Sequence, residues 1–411
     1  MKPLKILLSA YSCRPGMGSE PGVGWNMSQA LAQYHRVWVL TRADNRPMIE
    51  AEMAERPVSN LHFIYSDLPE SMLGWKQGSR GVYLHYYLWQ VLAYFTGKRL
   101  HAQETFDVVH HVTYVRYSSP SFLSLLPIPF VWGPVGGGET APKIFWQDFS
   151  RKNRIYEVLR SLTHGLGERD PFTRLTAYRC ALALGTTAET AKRLQQIGVQ
   201  RVKVLSQLGL AQGEIQQLAQ YRMPEDAQPP RFISIGRLLH WKGFHLGLQA
   251  FAQANLPETA EYWMIGDGPE RQHLQQLVEA LGIASQVKFW NELPRDQTLQ
   301  KLGQCLALVH PSLHESGGMV CLEAMAAGCP VICLDLGGPA IQVTAETGIK
   351  VPVHSSEQVM QGLMKAMETL ARDREFYLSL KRAGLQKVQT EAPWDRKAKY
   401  FTEIYQEICS A

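Results

Sequence analysis

Two stretches of this 411-residue chain place cations, carboxylates and glycines at spacings that suit a diphosphate ester. In the first, the apolar run Arg231 to Ile235 leads into Gly236-Arg237 and, five residues after Arg237, Lys242-Gly243. A helical pattern, Phe244 to Ala254, follows. Guanidinium offers phosphate oxygens a planar fork, ammonium offers a compact charge, and a helix N-terminus adds its dipole. The plainer reading is two surface cations in a loop.

The second stretch, Glu315-Ser-Gly-Gly-Met-Val-Cys-Leu-Glu323, follows the apolar run Leu306 to Val309 and the turn His310-Pro311-Ser312. Gly317 and Gly318 leave backbone N–H groups open where a helix begins near Met319, again suited to an anion. Glu315 precedes that helix and Glu323 falls in its second turn. They can grip two parts of one ligand as hydroxyl acceptors, not as a metal pair. A capping acid and an exposed helix acid are the alternative.

The first half carries weaker signals. Gly22-Val23-Gly24 follows the first strand and a loop through Gly16 and Gly18, but the spacing is not G-x-G-x-x-G, which argues against a dinucleotide cofactor. His110 and His111 end the run Val108 to His110, as ligand contacts or as core histidines. Gly133-Pro-Val-Gly136-Gly137-Gly138-Glu139 follows the run Phe130 to Trp132, with its tip near a ligand or simply as a connector. Trp75 to His101 holds seven aromatics, and residues 151–179 hold seven basic side chains against three acids. Both suit an anionic membrane interface; a buried helix is the other reading of 75–101.

These residues need elements to hold them. Short β-rich runs alternate with helical patterns along the whole chain, the mark of βαβ units and parallel sheets. Six candidate strands lie in the first half (Lys5 to Ala10, Val37 to Thr41, Leu61 to Tyr65, Val108 to His110, Phe130 to Trp132, Ala181 to Leu184). Five lie in the second (Arg231 to Ile235, Tyr262 to Ile265, Val287 to Phe289, Leu306 to Val309, Val331 to Leu334). They form two Rossmann-like sets, with a Pro-rich linker at Tyr221 to Pro230. The expected organisation is an N-terminal domain over 1–220, a C-terminal domain over 221–392, and a helix over 393–411 that packs back on the first domain. Such open sheets bind ligands beyond the carboxyl ends of their strands.

A formal charge of +5 is mild for this length and does not point to nucleic acid. Seven scattered cysteines suggest neither a disulfide framework nor a zinc knuckle. The N-terminal apolar run, Ile6 to Leu8, is too short for a signal-peptide core or a membrane span, so a reducing cytoplasm is expected, with peripheral contact at the cytoplasmic membrane face.

Gly236-Arg237, Lys242-Gly243, Ile265-Gly-Asp-Gly-Pro-Glu270, the Glu315 to Glu323 segment, and Ala324-Met-Ala-Ala-Gly-Cys-Pro-Val331 together resemble the retaining glycosyltransferases of the GT-B fold, family GT4. The resemblance is dense over about 231–350 and looser before it. It implies an α/β protein of two Rossmann-like domains facing each other across a cleft, and a nucleotide-diphosphate sugar donor bound without metal or other cofactor. By position, Arg237 and Lys242 would hold the diphosphate with Gly236, Gly317, Gly318 and the amides of Met319 and Val320. Glu315 would accept from sugar hydroxyls and Glu323 from the ribose, with the backbone near Asn291 and Leu293 at the base. Gly22 and Gly24 would lie near the phosphates. The family's His-x-His would place its second site on Val112, so His110 or His111 acts, and His111 is taken. Gly317 stands where many relatives carry an aromatic residue. Same-face attack needs no protein nucleophile.

The expected activity is transfer from a UDP-sugar to a saccharide or lipid-linked acceptor, such as a glycolipid or polysaccharide. A GDP-mannose-dependent mannosyltransferase and a non-catalytic nucleotide-sugar-binding protein are the alternatives.

Overall fold

The computed structural model describes residues 2–69, 81–222 and 229–410. The chain folds as two compact units, each an α/β layer structure around its own parallel sheet.

Unit 1 comprises Met1–Gly138, Arg160–Gly209 and Trp394–Ala411. Its strands are β1 (Lys5–Ala10), β2 (Arg36–Thr41), β3 (Leu61–Tyr65), β4 (Val108–Thr113), β5 (Phe130–Val135), β6 (Leu182–Gly185) and β7 (Val202–Val204). They pair in parallel in the order β3-β2-β1-β4-β5-β6-β7. The central strands β1, β4 and β5 are buried almost throughout, polar residues included, as in a parallel sheet covered by helices on both faces. Leu7, Leu40, Val109 and Trp132 share a core with Trp89 and Ala93 of the helix Val82–Glu104.

That helix divides the two readings of 75–101 between its faces. His85, Tyr86, Trp89 and Leu100 are buried, while Tyr83, Leu84, Val91 and Phe95 are exposed. Trp75, Lys76 and Arg80 lie outside the described residues.

The helix Trp394–Ser410 belongs to unit 1 through polar ties as well as apolar packing. Tyr405 meets the His110 ring at Nδ1 at 2.5 Å, Thr402 meets His35 at 2.9 Å, and Lys397 donates to the Ser206 carbonyl at 2.7 Å.

Unit 2 comprises Glu139–Leu159 and Leu210–Pro393. Its strands are β8 (Arg231–Ile235), β9 (Glu261–Ile265), β10 (Val287–Trp290), β11 (Ala307–His310), β12 (Val331–Leu334) and β13 (Gly348–Val351), again all parallel, in the order β10-β9-β8-β11-β12-β13. Phe232, Tyr262, Val309 and Ile332 form its core with the helices Phe244–Gln253 and Ser356–Arg372. In each sheet the strand order reverses at one place, between β1 and β4 and between β8 and β11. A crevice opens at the carboxyl ends of such a pair because the connecting helices leave to opposite faces.

Several expectations change. Residues 139–159 pack with unit 2 and not with the first half, because Phe145 and Phe149 are buried in the unit 2 core. The division therefore does not fall at a single cut near 220. Residues 223–228 of the expected linker lie outside the described residues. Strands β7 and β13 were not foreseen: one has three residues with Lys203 and Val204 exposed, and the other carries Gly348 and Lys350. Gly22 and Gly24 sit inside the helix Ser19–Ala32 and not in a loop. A Cβ on Gly22 would lie 2.1 Å from the Met17 carbonyl oxygen, and one on Gly24 2.3 Å from that of Ser12. Their lack of a side chain lets this helix press on the loop that leaves β1.

The tie between His110 and Tyr405 is testable. Its partner at Nε2 is the Gly133 carbonyl, which only accepts, so Nε2 carries the proton and Nδ1 must accept from Tyr405. Tyr405→Phe strands that acceptor in a fully buried place. It is expected to lower stability by about 1–3 kcal/mol in chemical unfolding. A loss below roughly 0.5 kcal/mol would show that the bond contributes little.

Candidate functional site

In unit 2 the loops leaving β8 and β11 cross. Gly243 has φ +66°, and a Cβ there would lie 2.0 Å from the Pro311 carbonyl oxygen, so only glycine fits. Nearby, the Leu313 N–H donates to the Trp241 carbonyl at 2.8 Å. The crossing delivers Lys242 and Glu315 to one point. Lys242 Nζ and His310 Nε2 both lie 2.7 Å from Glu315 Oε2.

The Glu315 side chain is only 20% exposed and that of Lys242 17%. Burial by itself would raise the carboxyl pKa, but Lys242 and His310 outweigh it and hold the group well below the usual carboxylate range. Glu315 is therefore ionised at neutral pH. Arg237, just after β8, is exposed and makes no ion pair among the described residues. One cation is engaged and the other is available.

The loop 315–318 is braced by the helix Gly337–Gln342. The Gly338 N–H donates to the Glu315 carbonyl at 2.7 Å, and Gln342 Nε2 to the Gly317 carbonyl at 2.5 Å. Gly318, with φ +88°, caps the helix Met319–Ala326. The first N–H groups of this helix, at Met319 and Val320, have no acceptor within it.

Glu323 is buried in that helix and lies 2.6 Å from the Arg295 guanidinium, which also lies 3.3 Å from Glu214. Burial raises the Glu323 pKa and Arg295 opposes it. The expected free hydroxyl acceptor is thus a paired carboxylate. Asn291 is exposed and Leu293 half-buried in the loop after β10, and no bond joins them to Lys242 or Glu315 among the described residues.

In unit 1 the two adjacent histidines of β4 separate clearly. His110 is satisfied at both nitrogens by Gly133 and Tyr405, so it is a core residue. His111 is equally buried, donates from Nε2 to the Thr113 carbonyl at 3.1 Å, stacks on Tyr86, and leaves Nδ1 without a hydrogen-bond partner among the described residues. Burial pushes both imidazoles down, to about 4 for His110 and about 3 for His111, so both are neutral. His111 keeps one open acceptor. Gly138 of the glycine loop is held within unit 1, donating to Thr190 Oγ1 at 3.1 Å and accepting from Arg193 Nε at 2.8 Å.

Sequence reasoning missed His310, Arg295 and a polar chain at the carboxyl end of β1. In that chain the Tyr11 hydroxyl meets His85 Nδ1 at 2.7 Å, and His85 Nε2 meets Asp67 at 2.9 Å. Only His310 left a signal, a histidine closing an apolar strand beside Pro311.

Residues 219–384 match the family model described as glycosyl transferases group 1. The chain is 30% identical over 219 residues to the lipopolysaccharide core biosynthesis glycosyltransferase LpsE of Rhizobium meliloti, a stretch that is 52% of this chain and 60% of that protein. A second such protein from that organism, LpsD, is matched over 48% of its length, so the chain spans about half the length of the curated relatives it matches. Among solved structures, Anabaena HepE in complex with UDP and glucose superposes with a TM-score of 0.63 at 19% identity, over 98% of this chain and all of that one. Sucrose-phosphate synthase from Thermosynechococcus elongatus gives 0.64 at 17% identity over 99% of each chain. At these identities the structures speak for the fold. Over residues 219–384 the chain thus resembles the glycosyl transferases group 1 family, and the fold it adopts is GT-B.

Proposed function

We propose that the chain is a retaining, metal-independent glycosyltransferase that moves a sugar from a UDP-sugar to a glycolipid, polysaccharide or other glycoconjugate acceptor. The observation that carries the reading is the meeting of Lys242 and Glu315 where two loops cross, with Arg237 following the same strand as Lys242 and making no ion pair among the described residues. A diphosphate needs both cations, and a sugar needs a carboxylate that stays ionised. The LpsE relative, named for lipopolysaccharide core biosynthesis, and the HepE structure, with UDP and glucose bound, support the acceptor class and the donor base.

In this reading Arg237 and Lys242 take the diphosphate oxygens, joined by Gly236 and by the amides at Gly318, Met319 and Val320 beside Gly317. Their charge offsets what develops on the phosphate as the bond from the sugar anomeric carbon to the phosphate oxygen breaks. The acceptor hydroxyl oxygen attacks the same face of that carbon, and its proton passes to the departing phosphate oxygen. Glu315 accepts from donor sugar hydroxyls. Glu323, poised by Arg295, accepts from the ribose, and the backbone at Asn291 and Leu293 meets the base. In unit 1, His111 Nδ1 is the proposed acceptor for a sugar hydroxyl, and Gly22 and Gly24 are that unit's proposed donor-binding residues.

A lipid-linked acceptor would bring the protein to the cytoplasmic face of a membrane. No helix among the described residues is long and apolar enough to cross one. Unit 1 instead exposes Leu84, Val91 and Phe95 on one helix and Phe172, Leu175 and Tyr178 on another, with Lys98, Arg99, Arg174 and Arg179 beside them in sequence. Phe122 makes ring contacts with both Tyr87 and Phe172 and so links the two helices. Exposed apolar chains with cations suit anionic lipid.

Three outcomes are expected. Calorimetry with UDP, GDP, ADP and their sugar conjugates should show selective binding of a uridine compound. Lys242→Ala and Glu315→Ala should each cut turnover at least about 100-fold while the fold persists; near-native turnover in both would overturn the site. At low salt the protein should sediment with phosphatidylglycerol vesicles and not with phosphatidylcholine ones, less so after Tyr178→Asp. Absence from both pellets would remove the membrane reading.

A further inference from the structure

We infer that Glu157, with its neighbour Tyr156, is a positioning element for the Lys242–Glu315 site. Both lie in Glu139–Leu159, the segment that folds with unit 2 although the sequence places it in the first half. The inference rests on the diphosphate reading of that site and adds residues that no motif points to.

Phe145 and Phe149 anchor the segment in the unit 2 core, and the helix Arg151–Arg169 then begins. The Glu157 carboxylate is 2% exposed, with Oε1 at 2.9 Å from His240 Nε2 and 3.5 Å from His314 Nε2. So deep a carboxylate persists only where partners compensate its lost hydration. Those partners are not arbitrary. His240 stands two residues before Lys242, and His314 immediately precedes Glu315. One carboxylate therefore ties together the two loops whose crossing makes the ion pair.

The aromatic rings repeat the tie. Tyr156 lies parallel to Trp241, with centroids 5.3 Å apart and planes 9° from parallel, and Trp241 stacks in turn on His314 at 5.2 Å and 18°. At the start of the same segment, the buried Glu139 accepts a hydrogen bond from Ser316, the residue after Glu315. Glu139–Leu159 thus touches the site loops at 240–241, 314 and 316 through Glu139, Tyr156 and Glu157, none of which carries a cation for phosphate. Fixing Lys242 and Glu315 before the ligand arrives spares that ordering cost on binding.

The test is calorimetric titration of the full chain with UDP and with UMP, which lacks the second phosphate, well below the unfolding temperature. Glu157→Ala should weaken UDP about tenfold, the scale of lost outer-layer support, and UMP only about twofold. Glu157→Gln, which keeps an oxygen for the His240 N–H, should recover most of the loss. Tyr156→Leu changes a side chain that is 45% exposed, so it should fold in any case, and it should shift UDP in the same direction. Equal losses for UDP and UMP would mark a merely structural role and overturn the inference. So would native UDP affinity in Glu157→Ala or, if that variant fails to fold, in Tyr156→Leu. A native chain that binds neither nucleotide would remove the proposed function, and this inference with it.

Discussion

One partly buried carboxylate sets the terms for unit 2. Glu315 stays charged only because an ammonium and an imidazole reach the same oxygen, each at 2.7 Å, and outweigh the cost of burial. Those two groups come from different strand ends, His310 closing β11 and Lys242 following β8. They can meet only if β8 and β11 are neighbours and their loops pass within backbone contact. The parallel pairing of β8 with β11 supplies the first condition, and the absent side chain at Gly243 supplies the second. The brace from Gly337–Gln342 then fixes the backbone of Glu315 and Gly317, so that the carboxylate and the helix start at Met319 keep their relation. Fold and site are one constraint here, because a slip in either loop would leave a charge buried without a partner.

Unit 1 solves a different problem at its own reversal of strand order. Two histidines side by side in β4 point to opposite faces of the sheet, as alternation in a strand requires. One is consumed by structure: His110 joins the Gly133 carbonyl to Tyr405 of the helix Trp394–Ser410, which binds the last residues of the chain into the unit. The other, His111, keeps an open nitrogen in a setting where burial holds the ring neutral. A neutral imidazole with a free lone pair can accept from a hydroxyl, and its role does not vary with pH near neutrality.

How far the sequence reveals this depends on how local each relation is. Arg237, Lys242, Glu315 and the glycines beside them lie within single strand–loop–helix units, so type and spacing sufficed. Alternating runs likewise gave the α/β class and most strands, but not β7 and β13, whose brevity and polar residues carry no period. Relations between distant residues were illegible. Arg295 against Glu323, and Glu157 against His240 and His314, join segments that only the folded sheet brings together. Residues 139–159 lie among unit 1 residues in sequence and pack elsewhere because of Phe145 and Phe149. Gly22 and Gly24 misled for the opposite reason, since glycine suggests a loop and here marks a helix pressed on backbone.

The most direct measurement is a crystal structure of the protein with UDP bound. The account predicts diphosphate oxygens within hydrogen-bond distance, roughly 2.7–3.2 Å, of Lys242 Nζ and the Arg237 guanidinium, with the amides at the start of Met319–Ala326 facing the same phosphate. UDP bound elsewhere, with the pair between Lys242 and Glu315 untouched, would contradict it.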